Sequence, residues 1–164
     1  MRPEHFERLF AEHAEPLLGY LTYRTGNRAL AEDLLADTFE RVLRARRPFD
    51  PRKASEKTWL YTIALNCLTD HVRRQAAESR ALARVGQPDH VEPDRADSFH
   101  DREDLLAALM TLSEEEREAV ALRYGGDLPV KEVARITGTN RTTAEARIYR
   151  GLKRLRAWLE PEGA

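Results

Sequence analysis

The 164-residue chain contains a single cysteine and no long apolar run. One cysteine, Cys67, excludes an internal disulfide and a cysteine-rich zinc site, and we interpret it as a core residue. No apolar stretch approaches the roughly 20 residues that a membrane-spanning helix needs, so we expect no membrane insertion. The N-terminus places Arg2, Glu4 and Glu7 where a signal peptide would have its apolar core. These absences predict a cytoplasmic protein.

The chain also lacks a strong net charge, since 28 acidic and 27 basic residues give −1. The charges are unevenly distributed along the sequence. Residues 1–49 carry eight of each sign, and residues 50–84 carry four acids and seven bases, so their net charges are 0 and +3. Residues 85–118 carry eleven acids and three bases, net −8, and residues 119–164 carry five acids and nine bases, net +4. Two basic segments flanking an acidic one suggest separate binding surfaces.

Glycine and proline are sparse, with eight of each, and they lie mainly between stretches of helical periodicity. In the first half, the pattern predicts helices over about 3–26, 28–46 and 56–83, the second of them capped by Asn27. Apolar residues at three- and four-residue spacing predict buried stripes that include Leu43 and Val72. The sequence therefore predicts an all-α fold.

The composition changes at residues 85–101, which are acidic and contain two prolines. This composition predicts a flexible acidic linker between an N-terminal helical bundle domain, residues 1–84, and a C-terminal domain, residues 102–164. In the second domain, Ser113 and Glu116 have the spacing of a reciprocal capping box at a helix start.

The strongest local pattern covers residues 133–140, followed by a long basic helix predicted over about 141–159. A helix-turn-helix needs a small residue where its helices cross and a turn residue that tolerates left-handed geometry, and Ala134 and Gly138 supply these. The first 16 residues of the basic helix hold six bases and one acid, which suits attraction to DNA phosphates. An ordinary solvated helix of a bundle is the alternative interpretation.

A second polar pattern lies on the predicted third helix. Asn66, Asp70, Arg73 and Arg74 share one helix face. Asparagine and arginine can read base edges and hold phosphates, although such a face is also common on solvated helices. Trp59, earlier in the helix, is interpreted as a core residue.

A third pattern is an acidic stripe on the second helix, formed by Asp33, Asp37 and Glu40. Such a stripe is usually a solvated face, and it can also be a docking surface for a basic partner.

Together, residues 31–39, 58–74 and 112–155 resemble bacterial sigma factors of the extracytoplasmic-function (ECF) group of the sigma-70 family. The resemblance implies an N-terminal domain that binds core RNA polymerase and melts the minus-ten promoter element. It also implies a C-terminal helix-turn-helix that reads the minus-thirty-five element, and a linker that threads the polymerase. Such a subunit is non-catalytic, needs no cofactor and has an anti-sigma factor as a further partner.

The resemblance assigns three sets of site residues. The set expected at the polymerase is Asp33, Asp37, Thr38 and Phe39. The set expected at the minus-ten element is Lys53, Lys57, Asn66, Asp70, Arg73 and Arg74. The set expected at the minus-thirty-five element is Arg141, Thr142, Thr143, Glu145, Arg147 and Arg150. Glu145 stands where lysine is common in the family, which implies an unusual promoter preference.

Enzymatic interpretations find little support in the sequence. Its five histidines lack the spacing of zinc ligands, and it has neither a glycine-rich phosphate loop nor a nucleophile motif, so we expect no catalytic residue and no metal. Two other functions stay open: a two-domain repressor or activator that binds duplex DNA alone, and a helical protein whose basic helix binds an acidic protein.

Overall fold

The computed structural model describes residues 1–45, 47–84 and 100–161, and every regular element within them is helical. The helices are α1 (Pro3–Thr25), α2 (Arg28–Arg44), α3 (Glu56–Ala83), α4 (His100–Met110), α5 (Glu114–Val120), α6 (Val130–Thr137) and α7 (Arg141–Leu159). A π-helical segment, Ala121–Gly125, continues α5. The predicted all-α fold is confirmed. Most of the predicted linker lies outside the described residues, and none of the described helices is long and apolar enough to cross a membrane.

Local sequence determines where the first helices begin and end. Gly26 ends α1 with a φ of 67°, a left-handed conformation that glycine adopts without steric cost. The Asn27 side chain then accepts a hydrogen bond of 3.1 Å from the backbone N–H of Leu30 and caps α2, as predicted. Ser55 caps α3 in the same way. The second helix is shorter than predicted and ends at Arg44.

Helices α1, α2 and α3 pack around a core that includes Leu17, Leu34 and Leu60. Two predicted core positions are wrong, because Leu43 is 55% exposed and Val72 is 45% exposed. Leu43 lies in the last turn of α2, and from Val72 onward every residue of α3 is exposed. Helical periodicity identifies the inward side of a helix but not the point at which the helix leaves the bundle.

The second half of the chain packs α7 across α5, with α4 and α6 alongside. A separate apolar cluster, formed by Leu109, Leu112, Val120 and Leu155 together with Ala108, joins α4, α5 and α7. The two halves also contact each other closely. Leu122 and Leu128 from the second half belong to the same buried cluster as the core of α1–α3.

Candidate nucleic-acid and polymerase interfaces

The helix-turn-helix of the second half consists of α6, a short turn and α7. Gly138 has a φ of 67° and ends α6, as the sequence predicts. The backbone N–H of Thr139 donates to the carbonyl of Ala134 at 2.9 Å, which closes the turn. The Asn140 side chain accepts a hydrogen bond of 2.8 Å from the N–H of Thr143, so α7 begins at Arg141. These contacts fix the direction in which α7 leaves the turn.

One face of α7 is buried and the opposite face is open. The buried residues are Ala144, Ile148, Gly151 and Leu155. Four of the six residues predicted at the minus-thirty-five element are exposed: Arg141, Thr142, Glu145 and Arg150. The other two, Thr143 and Arg147, are half-buried.

Several arginines of α7 are paired with carboxylates. The Arg141 Nε donates to Glu145 at 3.0 Å, one turn further along the helix. Arg147 lies 3.3 Å from Glu115 of α5, so its guanidinium points toward α5. Arg150 lies 3.6 Å from Glu116, also on α5. These pairs orient the basic side chains and partly neutralise them before any ligand binds.

The capping box predicted at the start of α5 forms only in part. Ser113 accepts a hydrogen bond of 3.2 Å from the N–H of Glu116, as expected for a cap. The Glu116 carboxylate does not accept a hydrogen bond from the backbone N–H of Ser113. It lies buried, 3.1 Å from Arg154 and 3.6 Å from Arg150. Two guanidinium groups attract a buried carboxylate more strongly than one backbone N–H does.

Helix α3 carries the predicted minus-ten residues on its outer face. Asn66, Arg73 and Arg74 are exposed. Asp70 is half-buried and forms an ion pair of 2.9 Å with Arg41 of α2. The bond to Asp70 raises the pKa of the Arg41 guanidinium. Asp70 therefore ties α3 to α2 through one of its two carboxylate oxygens.

The two lysines before and at the start of α3 differ in their surroundings. Lys53 is exposed in the loop that precedes the helix. Lys57 is half-buried, and its ammonium donates a hydrogen bond of 3.1 Å to the carbonyl of Asp127 in the second half of the chain. The resemblance assigns both lysines to the minus-ten element; in this structure Lys53 is the more exposed of the two.

The acidic stripe of α2 is available for a partner, because Asp33, Asp37 and Glu40 are exposed. Thr38 and Phe39 are buried, with exposed fractions of 0% and 4%. The Thr38 hydroxyl donates to the carbonyl of Leu34 at 2.7 Å, and the Phe39 ring packs edge-on against Phe6. For these two residues direct contact with polymerase does not fit the structure, since they face the core and can act only by positioning α2.

No pattern in the sequence predicts the polar contacts between the two halves of the chain. The Tyr20 hydroxyl of α1 donates to Glu118 of α5 at 2.5 Å, and Arg24 Nε donates to the other carboxylate oxygen at 2.6 Å. All three side chains are largely or fully buried. Burial and the neighbouring carboxylate raise the pKa of Tyr20, so its hydroxyl stays a donor. These residues lie more than 90 positions apart in sequence, and no local pattern links them.

Two other sites contain groups that could react or bind a metal: the thiol of Cys67, and the side chains of Glu12, His13 and Glu56. Cys67 is buried, as predicted, and burial raises the pKa of its thiol. Side chains of Glu12, His13 and Glu56 bring potential metal ligands within 4.8 Å of one another. Arg8 lies 3.6 Å from Glu12 and 3.4 Å from Glu56, so a guanidinium already serves both carboxylates.

Comparison with known proteins identifies the class. Residues 9–78 match sigma-70 region 2, and residues 102–155 match sigma-70 region 4. The RNA polymerase sigma factor CarQ of Myxococcus xanthus is 36% identical over 94% of this chain and 88% of its own length. The ECF RNA polymerase sigma factor BldN of Streptomyces coelicolor is 33% identical over 97% of this chain, which spans 61% of that relative. The chain belongs to the ECF group of the sigma-70 family.

Two solved structures share the fold over almost the whole chain. The sigma factor RpoE of Bartonella quintana, solved with the anti-sigma factor NepR, has a TM-score of 0.78 at 23% identity, covering 98% of this chain and 99% of that one. The structure of CnrH, solved with the cytosolic domain of CnrY, has a TM-score of 0.71 at 24% identity, covering 99% and 92%. Both similarities concern the fold.

Proposed function

We propose that this chain directs core RNA polymerase to promoters through three surfaces. The acidic face of α2 docks on the polymerase, the outer face of α3 engages the minus-ten element, and α7 reads the minus-thirty-five element. The observation that carries the proposal is that α3 exposes asparagine, threonine and arginine side chains and α7 exposes threonine and arginine side chains, while their apolar faces are buried. The chain contributes recognition and no catalytic residue. Because transcription takes place in the bacterial cytoplasm, the proposal assigns the protein to that compartment.

At the minus-ten element, α3 supplies two kinds of contact. Arg73 and Arg74 bind phosphates, and the Asn66 amide can pair with a base edge. Lys53 lies in the loop that would receive an extruded base, and Lys57 joins it once its bond to Asp127 is released. Unstacking a base costs a few kcal/mol, so these contacts must offset that cost for melting to proceed.

At the minus-thirty-five element, α7 enters the major groove with its N-terminal turns. Arg141 and Thr142 lie at the open start of the helix, where side chains reach base edges and phosphates. Glu145 can accept a hydrogen bond from a cytosine amino group, and its pairing with Arg141 holds it in place. Arg147 and Arg150 are paired with glutamates of α5. They stabilise the position of α7 or bind phosphates at the edge of the groove.

At the polymerase, Asp33 and Asp37 present carboxylates to a basic surface. Thr38 and Phe39 hold α2 against α1 and α3, and this packing fixes the direction in which the acidic side chains of α2 face. The acidic linker, predicted at residues 85–101, would follow the polymerase between the two promoter elements. We also propose an anti-sigma factor as a partner, because the solved sigma factor RpoE described above is bound to one.

Run-off transcription with purified core polymerase tests the proposal. Addition of this protein should give specific initiation from a subset of a promoter library, and Arg141→Gln should lower initiation at those promoters. Lys131→Gln is the matched control, because Lys131 is exposed on α6 and lies outside the predicted sites. It should leave initiation unchanged. If initiation never depends on this protein, the proposal fails. A strong promoter footprint without polymerase would instead favour an autonomous repressor or activator.

A further inference from the structure

Two imidazoles and two carboxylates meet where the start of α3 lies against α1. His5, Glu12 and His13 belong to α1, and Glu56 is the first residue of α3. One ligand atom each from Glu12, His13 and Glu56 lies within 4.8 Å of the other two. The Nε2 of His5 donates a hydrogen bond to Oε1 of Glu56. These four residues are called the imidazole–carboxylate cluster below.

The cluster has the donor atoms of a zinc site. Imidazole nitrogen and carboxylate oxygen are common ligands of Zn²⁺, whereas Mg²⁺ and Ca²⁺ prefer oxygen alone. Three protein ligands are also the number found where zinc keeps its fourth position for water. The histidine spacing along the sequence gave no sign of such a site, because one of the ligands, Glu56, comes from a different helix.

The three ligand atoms are close to bonding distance of a common point. Atoms within 4.8 Å of one another share a point no more than about 2.8 Å from each, and zinc–ligand bonds are about 2.0–2.2 Å long. Each ligand atom would therefore move by about 0.7 Å or less, which side-chain rotation supplies. The helices themselves are fixed, because Leu9 of α1 and Leu60 of α3 are fully buried in one core.

His5 supports the cluster by holding Glu56. Its hydrogen bond occupies Oε1 of Glu56 and leaves Oε2 for a metal. Carboxylates that bind metals are generally oriented by a hydrogen bond of this kind. The side chains of Glu56 and His13 are only 17% and 16% exposed, so two of the three ligands are partly shielded from water.

Arg8 is the group that a metal would have to displace. Its guanidinium lies 3.6 Å from Glu12 and 3.4 Å from Glu56. Both distances exceed the roughly 2.7–2.9 Å of a strong charge-assisted hydrogen bond. The Arg8 side chain is 52% exposed, and ion pairs made by exposed side chains contribute little to stability. A divalent ion bound directly to both carboxylates would therefore displace the guanidinium into solvent.

We propose that the imidazole–carboxylate cluster is a Zn²⁺ site in which Glu12, His13 and Glu56 are the ligands and His5 orients Glu56. Bound zinc ties the start of α3 to α1, just after the loop that contains Lys53. The inference is independent of the proposed function, because zinc binding by the free chain needs neither DNA nor polymerase.

Calorimetric titration of ZnCl₂ into the full-length chain, without an affinity tag, tests the site. We expect one zinc ion per chain. His13→Gln and Glu56→Gln each remove a ligand and should weaken binding by at least about tenfold. His5→Gln removes the hydrogen bond that orients Glu56 and should weaken binding by roughly tenfold. Zinc should also raise the melting temperature of the wild-type protein and leave that of His13→Gln unchanged.

Two control variants test whether these effects are specific to the cluster. Glu7→Gln removes an exposed carboxylate of α1, and His71→Gln removes a half-buried imidazole of α3. Both residues lie outside the cluster, so both variants should bind zinc as the wild-type protein does. If His13→Gln and Glu56→Gln bind zinc as tightly as these controls, or if the wild-type protein does not bind one zinc ion, the proposal is overturned.

Arg8→Gln separates a metal site from a network of ion pairs. Removal of this cation should tighten zinc binding by roughly fivefold or more, because a positive charge beside the carboxylates opposes a divalent ion. If the cluster is only an ion-pair network held together by Arg8, the variant loosens it and affinity does not rise. A gain in affinity cannot result from failure to fold, so this variant is informative even if a ligand variant unfolds.

Co²⁺ in place of Zn²⁺ reports the coordination of the bound ion. CoCl₂ added to the wild-type protein should give the intense visible absorption of a four- or five-coordinate ion, and added ZnCl₂ should abolish it. The weak absorption of six-coordinate aqueous cobalt would contradict the proposal. Circular dichroism checks that each variant is folded. Core-dependent transcription tests the proposed function separately, so its failure would leave the zinc result standing.

Discussion

The hydrogen bond from Tyr20 to Glu118 allows a quantitative test of how the two halves are coupled. Tyr20→Phe removes one hydroxyl and leaves the buried ring in place, so it creates almost no cavity. A hydrogen bond to a charged group contributes about 1.5–3 kcal/mol, and its loss leaves Glu118 with Arg24 as its remaining hydrogen-bond donor. We therefore expect the free energy of unfolding to fall by about 2 kcal/mol. For a chain of this size, that corresponds to a melting temperature lower by roughly 4–8 °C.

Chemical denaturation followed by circular dichroism measures this change. Tyr149→Phe is the matched control, because Tyr149 is 68% exposed and its hydroxyl loss should cost less than about 0.5 kcal/mol. A double-mutant cycle with Glu118→Gln should show a coupling energy of about 1 kcal/mol or more. If Tyr20→Phe is neutral, or if unfolding proceeds in two separate transitions, the idea of a core shared by both halves is wrong.

Three further predictions address DNA binding, thiol chemistry and pH. Arg141→Gln should reduce the slope of log affinity for promoter DNA against log salt by about 0.9, as measured by anisotropy titrations at several salt concentrations, if Arg141 contacts a phosphate. Because burial raises the pKa of Cys67, its alkylation by iodoacetamide at pH 8 should be slow in the native protein and fast in urea. Burial also lowers the pKa of His13, so the unfolded chain binds more protons and stability falls as pH drops below about 6.5; denaturation curves of His13→Gln should show a weaker fall.

Sequence reasoning succeeded where the structure depends on neighbours along the chain. The caps at Asn27, Ser113 and Asn140 were predictable because a capping side chain bonds a backbone N–H only three residues away. The bounds of α3 and the left-handed turn at Gly138 follow from equally local rules. The same reasoning identified the exposed faces of α3 and α7, since helical periodicity separates buried from open sides.

Sequence reasoning failed where the structure depends on distant parts of the chain. Leu43 and Val72 fit the apolar pattern, yet they extend beyond the neighbouring helices and are exposed. The family resemblance assigned Phe39 to the polymerase surface, but the aromatic rings of α1 cover it. The role of Glu118 depends on α1, whose residues lie more than 90 positions earlier. One sequence contains no signal for such pairings.

The charge distribution shows how folding alters a conclusion drawn from composition. The acidic segment of residues 85–118, which includes most of α5, and the basic segment of residues 119–164, which includes α7, suggested separate surfaces with net charges of −8 and +4. In the structure, carboxylates of α5 pair with Arg147, Arg150 and Arg154 of α7. Among the described residues only Lys153 and Arg156, of the six bases in 141–156, have no carboxylate within 4.0 Å. Part of the positive charge of α7 therefore holds that helix against α5, and under the proposed function DNA would compete with α5 for Arg147 and Arg150. This competition favours a helix that binds promoters weakly alone and needs a second contact, through α3 or polymerase, to bind tightly.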